Sequence, residues 1–341
     1  MKPSATRSQA KSKDQSPRSK PKAIRPAEPT DPSRSKPQAI DRIEQHKTCD
    51  RLFGAHMSIA GGHVNAALTA ARVGFRTVQL FTKNNNQWNA PPLDPEGIKA
   101  FRDALETNEI VRPTAHDSYL INLASPDDTL WRKSIDALVV EVERCDQLGI
   151  VDLVVHPGSH IDSGEEAGLI RVARGLDEVH DRTKKSSVFI DLESTAGQGS
   201  GLGYRLEHLG SIVDRVKRPD RLGVCLDSCH LFAAGYPLAE VDDYNKMIDD
   251  LERSVGLNRV RVWHLNDSLK ALGSRVDRHA GIGLGMMGLE PFRNIVNDPR
   301  FDSIPLILET PKGVDATGED LDAVNFRTLR SLLVDKRKLV S

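Results

Sequence analysis

From Leu52 onward the chain repeats one alternation. Short apolar runs recur at LFGAH (52–56), FRTVQLF (75–81), RPTAH (112–116), LVVH (153–156), VFIDLE (188–193), LGVCLD (222–227), VRVWHL (260–265) and PLILE (305–309). Such runs fit strands of a sheet covered on both faces. Between them, apolar residues fall at helical spacing. VNAALTAARVG closes on Gly74 and IDALVVEVERCDQLG on Gly149, each glycine placed as a helix C-cap. Eight strand-plus-helix units predict an α/β fold with parallel strands and crossover helices. Closure of eight such units gives a (β/α)8 TIM barrel, although the pattern alone also accommodates an open parallel sheet.

The ends of these runs carry the candidate chemistry. His116, His156, Glu193, Asp227, His264 and Glu309 each close a run, His230 follows three residues after Asp227, and SRVDRH adds Asp277 and His279. One polar residue at a strand end is ordinary, and a single histidine there is usually just hydrogen-bonded. Nine metal-binding side chains, including five of the chain's 11 histidines, are hard to explain by packing. In a closed barrel these ends converge on one face. Asp277 and His279 form D-x-H, whose side chains share a face in extended backbone and make a ready chelate. Arg275 and Arg278 beside them suit either a polar surface loop or phosphate contacts. A carboxylate after FIDL or LIL is costly to bury unpaired, and a cation or a buried arginine would compensate it. Mixed carboxylate and imidazole donors suit zinc or manganese without thiolate, so Cys225 and Cys229 read as small core residues. A catalytic zinc takes about three protein ligands plus water, so nine ligands exceed one or two ions. Three ions with one bridging carboxylate use them all, and closely paired metals are an established arrangement for phosphate ester cleavage.

Composition adds a boundary. The chain has 341 residues and a net charge of −1, but residues 1–47 hold 12 Lys/Arg against 5 Asp/Glu. That segment, rich in Ser, Pro, Lys and Arg, reads as a disordered basic tail that cannot bury enough surface to order itself. It could also attract phosphate or serve as a targeting signal. Residues 48–341 read as a single barrel domain. The four cysteines, Cys49, Cys145, Cys225 and Cys229, show no paired spacing and read as reduced thiols of an intracellular protein. No apolar run approaches a membrane span and no secretory signal is evident, so no membrane association is expected.

Several motifs now carry a specific resemblance. HDSYLINLASP (116–126), HPGSH (156–160), LESTAGQGSGLG (192–203), GVCLDSCHLFAAGY (223–236), HLND (264–267), GSRVDRH (273–279) and PLILETP (305–311) resemble, in order and spacing, those of the endonuclease IV family. Its members are zinc-dependent AP endonucleases of base-excision repair with a TIM-barrel fold. The resemblance implies three Zn2+ per chain. His116, His156 and Glu193 would hold the first, Glu193 would bridge to a second completed by Asp227, His264 and Glu309, and His230, Asp277 and His279 would hold the third. It implies a hydroxide attacking the phosphorus 5′ of an abasic site in double-stranded DNA, leaving a 3′-hydroxyl and a 5′-deoxyribose phosphate. Glu193 would be catalytic, and Tyr119, Gln87 and Asn86 would contact DNA. A monomer is expected, cytoplasmic if bacterial and nuclear or mitochondrial if eukaryotic. Four positions depart from the family: Asn86 replaces a frequent arginine, Leu284 a frequent glutamate, Ser194 an asparagine and Ser228 a threonine. A metal-dependent sugar isomerase or epimerase is the nearest competing reading. Such barrels generally use at most two metals, and the complete SRVDRH motif discriminates against them. The intact set of nine ligands argues against a non-catalytic DNA-binding protein.

Overall fold

A computed structural model describes residues 51–334. The expected tail, 1–47, and Cys49 lie outside the described residues. Eight parallel strands form one sheet: β1 (Leu52–Ala55), β2 (Gln79–Phe81), β3 (Thr114–His116), β4 (Asp152–Val155), β5 (Phe189–Glu193), β6 (Leu222–Asp227), β7 (Val260–His264) and β10 (Pro305–Leu308). Each pairs with its neighbour in sequence, and β10 lies between β7 and β1. The remaining junction, between β1 and β2, is a single parallel bridge, His56 to Gln79, where Met57 N–H donates to Gln79 O at 2.8 Å. That bridge turns the sheet into a ring.

Helices cover the outside: α1 (His63–Val73), α2 (Pro95–Thr107), α3 (Asp128–Leu148), α4 (Glu165–Arg182), α5 (Leu206–Arg215), α6 (Ser228–Ala234), α7 (Val241–Ser254), α8 (Glu290–Asn297) and α9 (Leu321–Ser331). Gly74 (φ 98°) and Gly149 (φ 77°) end α1 and α3 in the left-handed conformation, the C-cap role their positions predict. Outward strand residues such as Leu80, Leu153, Leu192 and Trp263 are fully buried under these helices.

The strand register explains where polar side chains go. Val154, Cys225, Val262 and Ile307 form a small apolar cluster of their own inside the barrel. Side chains alternate along a strand, so a residue two positions further on faces the same side. Asp227, His264 and Glu309 are those residues for Cys225, Val262 and Ile307. On β6, β7 and β10 an inward apolar side chain is thus followed, two residues on, by a ligand-type one.

Two strands are shorter than their apolar runs. In the run 75–81 only Gln79–Phe81 is strand, because Arg76 and Thr77 N–H both turn to Phe53 O. In the run 112–116 only Thr114–His116 is strand, because Arg112 sits at φ 46°, outside extended space. SRVDRH is mostly irregular; only His279–Ala280 (β9) is strand, antiparallel to Asp267–Ser268 (β8). No helix among the described residues is long and apolar enough to cross a membrane.

Candidate metal centre

Glu193, fully buried at the end of β5, is the hub. Its Oε2 lies 3.1 Å from His116 Nε2 and 3.1 Å from His156 Nε2. Its Oε1 lies 3.1 Å from His230 Nδ1 and 3.2 Å from His264 Nδ1. Among the described residues five groups of possible metal donors emerge, the donor atoms within each lying within 4.8 Å of one another; the three without a cysteine are His116, His156 and Glu193; Glu193, Asp227, His264 and Glu309; and His230, Asp277 and His279. All nine strand-end residues singled out by sequence fall into these three groups, and Glu193 belongs to two of them.

The histidines are oriented as ligands usually are, one ring nitrogen fixed by a neutral acceptor and the other facing carboxylates. His116 Nδ1 faces Asp117 O at 3.0 Å, His230 Nδ1 faces Ser194 O at 2.9 Å, and His279 Nδ1 faces Glu309 O at 3.2 Å. His264 does the same through Nε2, 2.9 Å from Gln79 Oε1. Burial alone would lower the pKa of His116, His230 and His264, but facing groups outweigh it and hold all three well above the usual range: Asp117 and Glu193 at His116, Asp227, Asp277 and Glu193 at His230, and Cys225 ahead of Glu309 and Glu193 at His264. His279 is raised to about 9, with burial opposed by Asp277 and Asp227. Burial would raise Glu193 and Glu309, yet facing imidazoles pull both well below the usual carboxylate range.

The donor set fits divalent cations. Metal binding to such a set displaces protons from its rings. His279 Nε2 is buried and makes no hydrogen bond, although Asp277 Oδ1 lies at 3.2 Å and Asp227 Oδ2 at 3.8 Å. It faces the space between these carboxylates instead of bonding to either. Cys225 Sγ and Cys229 Sγ also come near the donors, but burial pushes both thiols up, Cys229 to about 12. Neither is poised as a thiolate.

Two further residues join the network without having been singled out by sequence. Gln79 Nε2 donates to Glu309 Oε1 at 2.7 Å, and its Oε1 accepts from Thr114 Oγ1 at 3.2 Å. His56 Nδ1 lies 3.1 Å from Gln79 Nε2 and 3.5 Å from Glu309 Oε1. The available signals were a histidine ending the first apolar run, as at His116 and His156, and one polar residue inside VQLF. Two of the positions expected to depart from the family make local hydrogen bonds. Ser194 Oγ accepts from Asp227 N–H at 2.9 Å, and Ser228 Oγ accepts from Asn266 N–H at 2.9 Å, so both serine hydroxyls still tie strand ends together.

The residues expected to reach DNA lie at the mouth. Tyr119 is 64 % exposed, its ring 5.5 Å from Phe81 and 5.8 Å from His116. Burial, then the Glu309 and Glu193 charges, push its hydroxyl up to about 12. Asn86 and Gln87 are exposed on the loop after β2. That loop is anchored from below. Lys83 is buried, 3.0 Å from Glu141 Oε1, and donates to Gln87 O at 3.0 Å. Arg144 Nη2 donates to Thr82 O at 2.7 Å. Ser118 Oγ donates to Asn85 O at 2.6 Å. Lys83 is therefore an anchor within the protein and not a free cation. A cavity of about 270 Å³, lined by Tyr119, Asn122, Ser159 and Gln198, opens beside His156, His230 and Asp277.

Comparison with known proteins agrees with this architecture. The family described as "Xylose isomerase-like TIM barrel" matches residues 68–327. "Probable endonuclease 4" of Chloroflexus aurantiacus is 50% identical over 281 residues, covering 82% of this chain and 98% of the relative. The crystal structure of endonuclease IV from Thermus thermophilus superposes with a TM-score of 0.72 at 38% identity, covering 82% of this chain and 98% of the other. A D-tagatose 3-epimerase-like protein has a TM-score of 0.65 at 19% identity, covering 85% and 99%, and shares the fold alone. Eight parallel strands closed into a barrel, a carboxylate hub shared by two donor groups, and close relatives matched over nearly their whole length together make this chain an enzyme of the endonuclease IV family.

Proposed function

We propose that residues 48–341 form a three-zinc AP endonuclease domain that hydrolyses the phosphodiester 5′ of an abasic site in double-stranded DNA. The observation that carries this reading is the sharing of Glu193 between two groups of donors beside a complete third group, in a chain of this family. His116, His156 and Glu193 would hold one Zn2+, Glu193 with Asp227, His264 and Glu309 a second, and His230, Asp277 and His279 a third. When bound, the ions supply Lewis acidity toward phosphate oxygens and lower the pKa of a water.

The protein's own groups do the remaining work. Four carboxylates against three divalent cations leave the filled site positive, which suits a phosphodiester. Glu193 and Glu309 stay deprotonated because imidazoles face them, so both remain available as anionic donors. Gln79 orients Glu309 and His264 at once through its amide. The exposed Tyr119 ring, braced edge-on by Phe81, offers a face to the sugar at the lesion. Asn86 and Gln87 enter the DNA from a loop whose backbone is fixed before binding. An abasic nucleotide is inexpensive to extrude because it has lost its base pairing. The water oxygen bonds to phosphorus and the bond from phosphorus to the upstream O3′ breaks. The products are a 3′-hydroxyl and a 5′-deoxyribose phosphate. The protein would act as a monomer inside the cell, with the basic segment 1–47 adding phosphate attraction.

The direct test combines cleavage of a duplex carrying one abasic site with elemental analysis of the purified protein. Three zinc ions per chain, incision on the 5′ side and loss of activity after metal stripping are expected. One ion or fewer with full activity would sink the three-zinc reading, and an intact abasic strand would sink the nuclease reading.

A further inference from the structure

The segment after His279 combines a rigid backbone with exposed apolar side chains. Asp267, fully buried, accepts through its carboxylate from Ser268 N–H at 2.7 Å, Gly285 N–H at 2.9 Å and Met287 N–H at 3.0 Å. Met286 N–H donates to Ser268 O at 2.7 Å. A side chain at position 285 would meet Asp267 Oδ1 and Ser268 O at 2.4 Å, so only glycine lets the loop seat on this carboxylate. Yet Leu284 is 74 % exposed, Met286 62 % and Leu269, next to Ser268, 56 %. Met286 is held beside Ser268, the neighbour of Leu269, by its backbone bond, so exposed apolar side chains from two segments sit on one ordered frame; large exposed apolar surface often marks an interaction site.

The surroundings identify what the ridge fits. Lys270, Arg275 and Arg278 are exposed on the same pair of segments; Arg275 stacks on the Tyr204 ring at 3.7 Å and Arg278 Nη1 donates to Asp277 O, and no carboxylate is paired with any of the three among the described residues. The ridge is continuous with the candidate centre, because β9 begins at His279, a member of the third donor group. An apolar wedge flanked by cations matches the way proteins unstack a base step while holding the flanking phosphates. We infer that Leu284 and Met286 form an apolar wedge that inserts into duplex DNA beside the lesion, with Lys270, Arg275 and Arg278 on the adjoining phosphates. This rests on the reading of the site as an abasic-DNA endonuclease. It assigns a role to Leu284, one of the positions where this chain leaves its family, and it supplies an entry into the helix on a loop other than that of Asn86.

The test is the double variant Leu284→Ser/Met286→Ser in the full-length, metal-loaded protein. Both side chains are exposed, so the fold and the zinc content should be unchanged. The probe is a duplex with a tetrahydrofuran abasic site, a phosphorothioate at the 5′ linkage and 2-aminopurine next to the lesion. The wild-type protein should brighten the 2-aminopurine by unstacking it. The variant should lose that signal and bind about tenfold or more weakly. Its affinity for the same strand without its complement should not change, because a wedge acts only on a stacked helix. Equal duplex affinity and equal brightening would overturn the wedge while leaving the endonuclease reading intact. Absence of cleavage by the wild-type protein of the same duplex carrying an ordinary phosphodiester at that linkage would overturn that reading and the wedge with it. A wild-type dimer that becomes monomeric on substitution would reassign the ridge to self-association.

Discussion

Replacing Glu193 by Gln tests the hub most sharply. Each carboxylate oxygen faces two imidazole nitrogens, Oε2 those of His116 and His156 at 3.1 Å each, Oε1 those of His230 and His264 at 3.1 and 3.2 Å. Glutamine keeps the shape but replaces one oxygen with an amide NH2. In place of Oε2 that NH2 points at His116 and His156 Nε2, and in place of Oε1 at His264 Nδ1, nitrogens whose lone pairs are needed for a cation, and one donor group loses its shared ligand. The side chain is fully buried, so no water can take the place of the missing acceptor. Removing one member of a buried charged set typically costs about 3–5 kcal/mol, or roughly a hundred- to a few-thousand-fold in the affinity of the affected site. The barrel should remain folded, because glutamine keeps the size of the side chain and Glu193 is not a member of the apolar cluster of Val154, Cys225, Val262 and Ile307. Zinc content after dialysis against a graded chelator series, read beside single-turnover cleavage of abasic duplex, measures both effects. Metal should leave at lower chelator concentration than from the wild type, and the rate should fall by orders of magnitude. A full metal complement with near-wild-type cleavage would refute the bridging role.

Three other predictions follow from separate features. Deleting residues 1–47, which carry an excess of seven positive charges, should weaken DNA binding at low salt and flatten the dependence of log Kd on log salt, leaving metal content alone; identical slopes for both proteins would assign the segment to something else. Asn86 is exposed and its backbone N–H is fixed by Asn84 Oδ1 at 2.9 Å, so Asn86→Arg should fold normally and tighten abasic-duplex binding by about 1 kcal/mol with little change in single-turnover rate; weaker binding would mean that the loop already has another reader, which cannot be the buried Lys83. His180 is buried with both ring nitrogens unpartnered, and burial, then Arg221 and Arg218, lower it to about 4. Its folded-state pKa lies below its unfolded value of about 6.5, so the stability it protects is present above pH 6.5 and is lost as pH falls toward 4. The melting temperature of His180→Leu should gain on that of the wild type as pH drops from 7 to about 4.5, and a constant difference would show that His180 does not titrate in this way.

Much of the barrel is visible in the alternation of single strands. Cys225 and Asp227, or Val262 and His264, are two residues apart, so one strand alone places an apolar side chain and a ligand on the same face. The donor groups were legible because each ligand ends a run of that kind. What the sequence hid depends on contacts between distant segments. Lys83 and Glu141 lie on different units, and neither residue's surroundings in sequence announce that the lysine will be buried. Gln79 looks like a tolerated polar residue until the ring places Thr114, His264 and Glu309 around its amide. The β8–β9 pair has two residues in each strand, too few for any periodicity, and its loop is shaped by one carboxylate, Asp267.

The bridge between His56 and Gln79 has a mechanical consequence. Every other pair of neighbouring strands is joined by a ladder, whereas β1 and the run leading into β2 are held by this bridge and by the Arg76 and Thr77 N–H bonds to Phe53 O. A hoop under radial stress opens at its thinnest join, and here both residues of the join also touch Glu309. A change in the position of Glu309 is therefore felt at the join, and a change at the join is felt at Glu309. Ring closure and a donor carboxylate in this barrel share the same two residues, His56 and Gln79.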